Sequence, residues 1–135
     1  MAEKIAILGG KGMLGSDLAL ACPKAAVLDL PDFDITNQKH LDDALKDVDA
    51  VINCAAYTNV EKAESESELA YKINAEAVGK LGITAKKAGV WVLHISTDFV
   101  FDGKSGKPYV ETDTPNPIKA RAMTRPDNVP AREKK

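Results

Sequence analysis

Residues 7–20 read ILGGKGMLGSDLAL: an apolar run, glycines at positions 9, 12 and 15, then an apolar-periodic stretch. Glycine carries no Cβ and adopts positive φ freely, so it weakens a helix or strand interior but suits the junction between the two. The spacing therefore predicts a strand–turn–helix unit close to the N-terminus. Gly9 ends the strand and permits a tight turn, and Gly15 lets the helix sit close to the sheet.

Lys4–Leu8 is the first of four such apolar runs; the others are Ala26–Asp29, Ala50–Cys54 and Trp91–Ser96. Each is rich in Val, Ile or Leu without polar alternation, as expected of strands buried on both faces of a parallel sheet. Helical patterns separate them. Leu14, Leu18 and Ala21 share one face, and Leu41, Leu45 and Val48 share another, after Thr36 as the expected N-cap. A longer helix is expected to turn Leu69, Ile73, Ala77 and Leu81 inward and to stop at Gly89. Gly79 and Gly82 weaken it by about 1 kcal/mol each relative to Ala, and close packing on the sheet is the reason expected for them. The order β-α-β-α-β-α-β predicts an α/β fold: a Rossmann-type, doubly wound parallel sheet of about four strands in the order 3-2-1-4. Ligands of such sheets bind outside the carboxyl ends of the strands, here expected beside the switch between strands 1 and 4.

The bulk properties exclude several classes. A length of 135 residues allows one domain with a real core, and a net charge of −2 argues against a general nucleic-acid or membrane-surface binder. There is no apolar run of membrane-spanning length, and MAEKIAIL lacks a signal-peptide pattern, so a cytoplasmic protein is expected. Cys22 and Cys54 stand alone, without CxxC or ligand-spaced His, and read as reduced buried thiols. His40 falls on a polar helix and His94 in an apolar strand, so no metal site is expected.

With that order in place, the glycines acquire a chemical reading. A Cβ at position 12 would hold the backbone away from a pyrophosphate, and the free N–H groups at the following helix N-terminus favour phosphate. Asp29, 20 positions after Gly9, closes strand 2, where a carboxylate can accept from an adenosine ribose. The alternative is a glycine-rich turn kept for packing alone. Asp29, Asp32 and Asp34 would repel a 2′-phosphate and favour NAD, whereas Lys11 could offset them for NADP or be a solvated loop lysine. NADP or NAD is therefore the expected cofactor, with the preference open.

The GxxGxxG spacing is that of the extended short-chain dehydrogenase superfamily. The stretches VINCAAYTNVEKAESE (51–66), INAEAVGKL (73–81), HISTDFVFDG (94–103) and PYVETDTPNP (108–117) together resemble the dTDP-4-dehydrorhamnose reductase family, over residues 4–117. The resemblance implies that Gly12, Met13 and Leu14 contact the pyrophosphate and that Asp34 and Ile35 lie near the adenine. It implies that Ala55, Ala56, Tyr57 and Thr58 line the ribose and nicotinamide side, and that Asn74 steadies strand-end backbone. Thr97 would be the hydroxyl member of the catalytic triad, holding the keto oxygen of a dTDP-4-keto-6-deoxysugar. That family delivers hydride from NAD(P)H to C4 of the sugar in dTDP-L-rhamnose and polysaccharide biosynthesis. The residues themselves place Ser96-Thr97-Asp98 at a strand carboxyl end, where they either reach a substrate carbonyl or merely cap a turn. Glu61, Lys62, Glu64 and Glu66 read as a solvated helix start, and Phe99 stands where the family commonly has Tyr.

The likeness stops at the Pro-rich stretch. The family supplies a proton donor there, a Tyr with a Lys four residues later, and a general acid must lie within hydrogen-bond reach of the developing alkoxide. This chain runs instead into KARAMTRPDNVPAREKK (119–135), and its last tyrosine is Tyr109, with Asp113 four residues on. The organisation expected is a nucleotide-binding domain over 1–118 and a basic, poorly ordered tail over 119–135, either native or the product of a frameshift. The family's substrate half is expected to be absent. A small-molecule nucleotide sugar is the expected partner of an enzyme, with a homodimer or partner subunit covering the sheet edge left at strand 4. A non-catalytic NAD(P)-binding regulatory module is the alternative.

Overall fold

The computed structural model describes residues 3–117. Four parallel strands, β1 (Ile5–Leu8), β2 (Ala26–Leu28), β3 (Ala50–Asn53) and β4 (Trp91–His94), form one sheet. The connections carry α1 (Met13–Ala21), α2 (Gln38–Ala44), α3 (Val60–Ser65), α4 (Ser67–Tyr71) and α5 (Ala77–Ala88). A π-helical turn, Lys72–Glu76, joins α4 to α5. The long helix expected over 69–88 is thus several pieces, in which Ala77 and Leu81 are buried, Ile73 is half-buried and Leu69 is exposed.

Doubly wound α/β architecture is what the apolar runs called for, but the strand order is β2-β1-β3-β4 rather than 3-2-1-4. Burial explains why. β1, whose Ala6, Ile7 and Leu8 have no exposed surface, has a neighbour on each side in either order; what differs is β2, whose exposed residues call for no second neighbour, so β3 takes the free side of β1. Three-residue β2, with Ala26 and Val27 exposed, is an edge strand. The chain therefore reverses direction one crossover earlier than expected, and the switch lies between β1 and β3, not between strands 1 and 4.

Right-handed crossovers then place α2 and α5 together on one face and α1 on the other. Gln38 Nε2 on α2 donates to Thr84 Oγ1 on α5 at 2.9 Å. The core lies on that face: Ala6, Leu8 and Val51 of the sheet pack with Phe33, Ile35, Leu41, Leu45, Leu81 and Ala85. Asn37, not Thr36, caps α2, accepting from the N–H groups of Lys39 and His40. Thr36 is taken instead by Asp34, whose Oδ1 accepts from both its N–H and its hydroxyl at 2.8 Å. Gly89 ends α5 at φ 73°, the left-handed cap expected of it.

The opposite face is thinly covered. Register pairs Val51 with Val92 and Asn53 with His94 on the core side, which turns Trp91 and Leu93 the other way. Both are more than half exposed, so β4 is buried on one face only, contrary to the expectation for all four strands. Within α1 only Gly15 is buried, and Leu14, Leu18 and Ala21 do not form the buried stripe expected of them. Among the described residues no helix is long and apolar enough to cross a membrane.

Candidate functional site

The first turn is held by contact between backbones. Gly9 adopts φ 73°, and a Cβ on it would stand 2.7 Å from Ala55 N and 2.8 Å from Ala55 Cα. A Cβ on Gly15 would stand 2.2 Å from Gly9 O and 2.7 Å from Gly10 Cα, so this glycine sits against the turn itself. Neither clash can be relieved by rotating a side chain. Gly12 differs: a Cβ there meets nothing nearer than Gly9 O at 3.3 Å, and the residue is exposed. The protein's own packing presses on Gly12 at this one tight contact only, and its other sides face solvent. Gly12 is the N-cap of the nine-residue α1 without a capping side chain, and Met13 behind it is 92% exposed. The first N–H groups of a helix have no intrahelical acceptor, so this open terminus can hold a diphosphate.

Asp29 ties the turn to β2. Its Oδ2 accepts from the Lys11 N–H and its Oδ1 from the Leu30 N–H, both at 2.7 Å. Each carboxylate oxygen has a second lone pair, so Asp29 can still accept from a sugar hydroxyl. Lys11 Nζ donates to the Leu30 carbonyl at 3.0 Å. A groove of about 440 Å³ opens here, lined among others by Lys11, Asp29, Asp32, Phe33, Lys39 and His40. Lys39 and Lys46 both bond Asp43 and hold its carboxyl at about 2. Asp34 is half-buried; its Thr36 hydrogen bonds lower its pKa, and its N–H donates to His40 Nδ1 at 2.9 Å. Ile35 is a core residue, 6% exposed.

Across the β1/β3 switch, side-chain amides organise the chain. Asn53, wholly buried at the end of β3, accepts the Ala55 N–H on Oδ1 at 3.0 Å. Asn74, buried in the π-helical turn, accepts the Tyr57 N–H at 2.8 Å and donates back to the Tyr57 carbonyl at 3.3 Å. Ala55 is thereby brought against Gly9, and Ala56, Tyr57 and Thr58 follow towards Asn59, the N-cap of α3. The Tyr57 hydroxyl donates to Glu66, and that bond holds the phenol above its usual pKa. Burial pushes the Cys54 thiol up, away from thiolate.

Thr97 lies beyond β4 and caps the 3₁₀ turn Asp98–Val100: its Oγ1 accepts from the Phe99 N–H at 3.3 Å and donates to Asp98 Oδ1 at 3.1 Å. The capping role weighed for it is present, and the half-buried hydroxyl also keeps a second lone pair. The loop after it is knitted by Asp102, which accepts from Tyr109 Oη, Lys104 N and Asn116 Nδ2. Those bonds hold its carboxyl below the usual range. The Phe101 and Tyr109 rings stack at 4.2 Å. The segment 119–135 lies outside the described residues. Neither Asn53 nor Asp102 stood out in the sequence; a single amide in the apolar run AVIN was the available signal for Asn53. Among the described residues no cluster of side chains could hold a metal.

The family described as RmlD substrate binding domain matches residues 3–128. The chain is 38% identical over 122 residues to the dTDP-4-dehydrorhamnose reductase of Burkholderia thailandensis, covering 87% of this chain and 41% of that protein. A crystal structure of a dTDP-4-dehydrorhamnose reductase from Clostridium acetobutylicum superposes with a TM-score of 0.79 at 40% identity, over 90% of this chain and 45% of that one. The Bacillus anthracis enzyme, solved in complex with NADP, gives 0.81 at 32% identity, over 92% and 46%. The chain thus spans less than half the length of these relatives. With its match running through nearly all of the sequence, it belongs to the RmlD substrate binding domain family.

Proposed function

We propose that this chain is the nucleotide-binding part of a dTDP-4-dehydrorhamnose reductase-like oxidoreductase, with NADP or NAD as cofactor and a dTDP-4-keto-6-deoxysugar as substrate. The observation that carries the reading is Gly12: the fold demands Gly9 and Gly15 for itself, yet crowds an added Cβ at Gly12, an exposed helix N-terminus, far less. A diphosphate lying there would account for glycine where packing does not. The B. anthracis relative was solved with NADP, which supports a nicotinamide dinucleotide here.

When bound, the reduced nicotinamide supplies hydride to a ketone carbon. The chain's own residues do the rest. Met13 and Leu14 N–H groups hold phosphate, Asp29 accepts from the adenosine ribose, and Asp34 and Ile35 flank the adenine end. Ala55, Ala56, Tyr57 and Thr58, fixed by Asn53 and Asn74, line the nicotinamide side. Thr97 Oγ1 positions the substrate oxygen by hydrogen bonding. The proton for the alkoxide has no Tyr-xxx-Lys source in this sequence, which ends its tyrosines at Tyr109. A missing general acid lowers turnover by about 10²- to 10⁴-fold.

Titration of the protein with NADH and NADPH, followed by turnover with dTDP-4-keto-6-deoxymannose, tests the reading. Binding with slow turnover is the expected result; failure to bind either coenzyme overturns it. A second reading, a non-catalytic NAD(P)-binding module with a partner subunit or a second copy, is favoured by exposed Trp91, Leu93 and Ile95 at β4. Sedimentation at increasing concentration tests the complex this reading requires, and coenzyme binding with no turnover at all distinguishes it from the reductase reading.

A further inference from the structure

Asn53 and His94 face each other at the carboxyl ends of β3 and β4, Nδ2 to Nδ1 at 3.1 Å. Their protonation pattern follows from one backbone group. The Ala55 N–H can only donate, so the atom of Asn53 that it reaches must be the amide oxygen. The amide nitrogen is then the atom turned to the imidazole, and it too can only donate. His94 Nδ1 must therefore be the acceptor, which leaves the ring proton on Nε2. That Nε2 is buried and has no hydrogen-bond partner among the described residues. In the neutral ring the Asn53 amide thus selects the tautomer, against an Asn53 backbone hydrogen bond that favours the protonated form, and the amide is itself set by Ala55.

Ala55 is also the residue whose N and Cα lie against Gly9. The chain of contacts therefore runs from His94 through Asn53 and Ala55 to the glycine turn, joining three strand ends. Asn53 and His94 both lie in stretches that carry the resemblance, 51–66 and 94–103, but the resemblance assigns a function to neither. We propose that Asn53 and His94 are positioning residues for the dinucleotide site: their hydrogen bond, with His94 Nδ1 as acceptor, holds Ala55 against Gly9 and so sets the spacing between the glycine turn and residues 55–58. The proposal rests on the nucleotide-binding reading above. It deepens that reading by assigning a support to the nicotinamide-side segment.

The test uses the full chain, His94→Asn and His94→Leu. Asn keeps an oxygen acceptor near the place of Nδ1; Leu keeps the bulk and removes the acceptor. His94→Leu is expected to raise amide exchange at Ala55 and to weaken NADPH binding by about three- to tenfold, the scale of one lost hydrogen bond. His94→Asn is expected to stay within about twofold of the parent in both. Equal losses in the two variants, or a folded His94→Leu protein that binds and exchanges like the parent, overturn the proposal. Nitrogen NMR of the unmodified protein supplies an arm that needs no variant: the expected His94 tautomer is Nε2–H, and an Nδ1–H tautomer overturns the assignment even if His94→Leu does not fold. A parent protein that binds no NADPH sinks the nucleotide reading instead, while exchange at Ala55 and the tautomer still decide the support of residues 55–58.

Discussion

The segment Gly9–Gly15 is held in place by the absence of side chains, whereas Ala55–Thr58, which meets it across the β1/β3 switch, is held by the amides of Asn53 and Asn74. In the first segment a backbone carbonyl and Cα atoms occupy the space a Cβ would need. In the second, N–H and C=O groups without a strand partner are satisfied one by one by side chains, Asn53 two residues from Ala55 and Asn74 seventeen from Tyr57. The two constructions fail differently. A turn built on contact tolerates no added atom, while a segment built on hydrogen bonds tolerates loosening at a graded cost.

Gly15→Ala strains this contrast most. Its Cβ would meet Gly9 O at 2.2 Å, and backbone cannot rotate away. Overpacking costs about 1–3 kcal/mol, and against rigid backbone the upper end is expected, which exceeds the ~1 kcal/mol Ala gains over Gly in a helix. Chemical denaturation is expected to show that loss as a lower midpoint with unchanged slope. Stability equal to the parent would mean that the turn yields, and the contrast would be gone.

On the amide side, Asn74→Ala leaves the Tyr57 N–H and C=O without their side-chain partner. An unsatisfied buried group costs about 1–3 kcal/mol. The expected outcome is a smaller drop in midpoint than for Gly15→Ala, with faster exchange concentrated at Tyr57. Faster exchange spread evenly over β1 and β3 would show instead that Asn74 supports the whole sheet.

This difference in construction also sets what the sequence could reveal. A steric demand for glycine is written at the position where it acts, so Gly9, Gly12 and Gly15 were legible as a strand-to-helix turn. A hydrogen bond between Asn74 and Tyr57 joins residues 17 apart, and one between Asn53 and His94 joins residues 41 apart. Neither spacing marks a pair. Apolar runs gave four parallel strands for the same local reason, since burial of Ile7, Leu8 and Val51 shows in residue type. Strand order did not follow. It depends on which side of β1 the chain takes after β2, and the seven residues of α2 fit a crossover either way. Nor does an apolar run distinguish a face covered by helices from one left open, so Trp91 and Leu93 read as core although the fold leaves both more than half exposed.

Gly12→Ala sharpens the comparison from within the glycine turn. Its Cβ would approach only Gly9 O, at 3.3 Å, so folding stability is expected to change by less than about 1 kcal/mol. NADPH affinity is expected to fall about tenfold, which corresponds to about 1.4 kcal/mol. Gly15 would then be a glycine the fold requires and Gly12 one the ligand requires. A melting curve beside a fluorescence titration separates them, and a Gly12→Ala protein that binds like the parent removes the main support for phosphate at this turn.

The smallest effect expected is one of pH, on the amide side alone. Burial lowers the pKa of His94 below its ordinary 6.5. The helix packed against β4 offers no compensating carboxylate, since the charged residues of α5 are Lys80, Lys86 and Lys87. Between the folded pKa and 6.5 the unfolded chain binds more protons than the folded one, so stability rises with pH through that window. It is fully present above 6.5 and is lost as pH falls towards the folded value, because burial disfavours the imidazolium more than a hydrogen bond with the Asn53 backbone favours it. Denaturation midpoints measured from about pH 7 downwards should fall in the parent and stay flatter in His94→Asn, which has nothing to titrate there. The glycine turn carries no titrating side chain in its contacts with Ala55, so a pH response of equal size in His94→Asn would place the titrating group elsewhere and detach His94 from the support of Ala55.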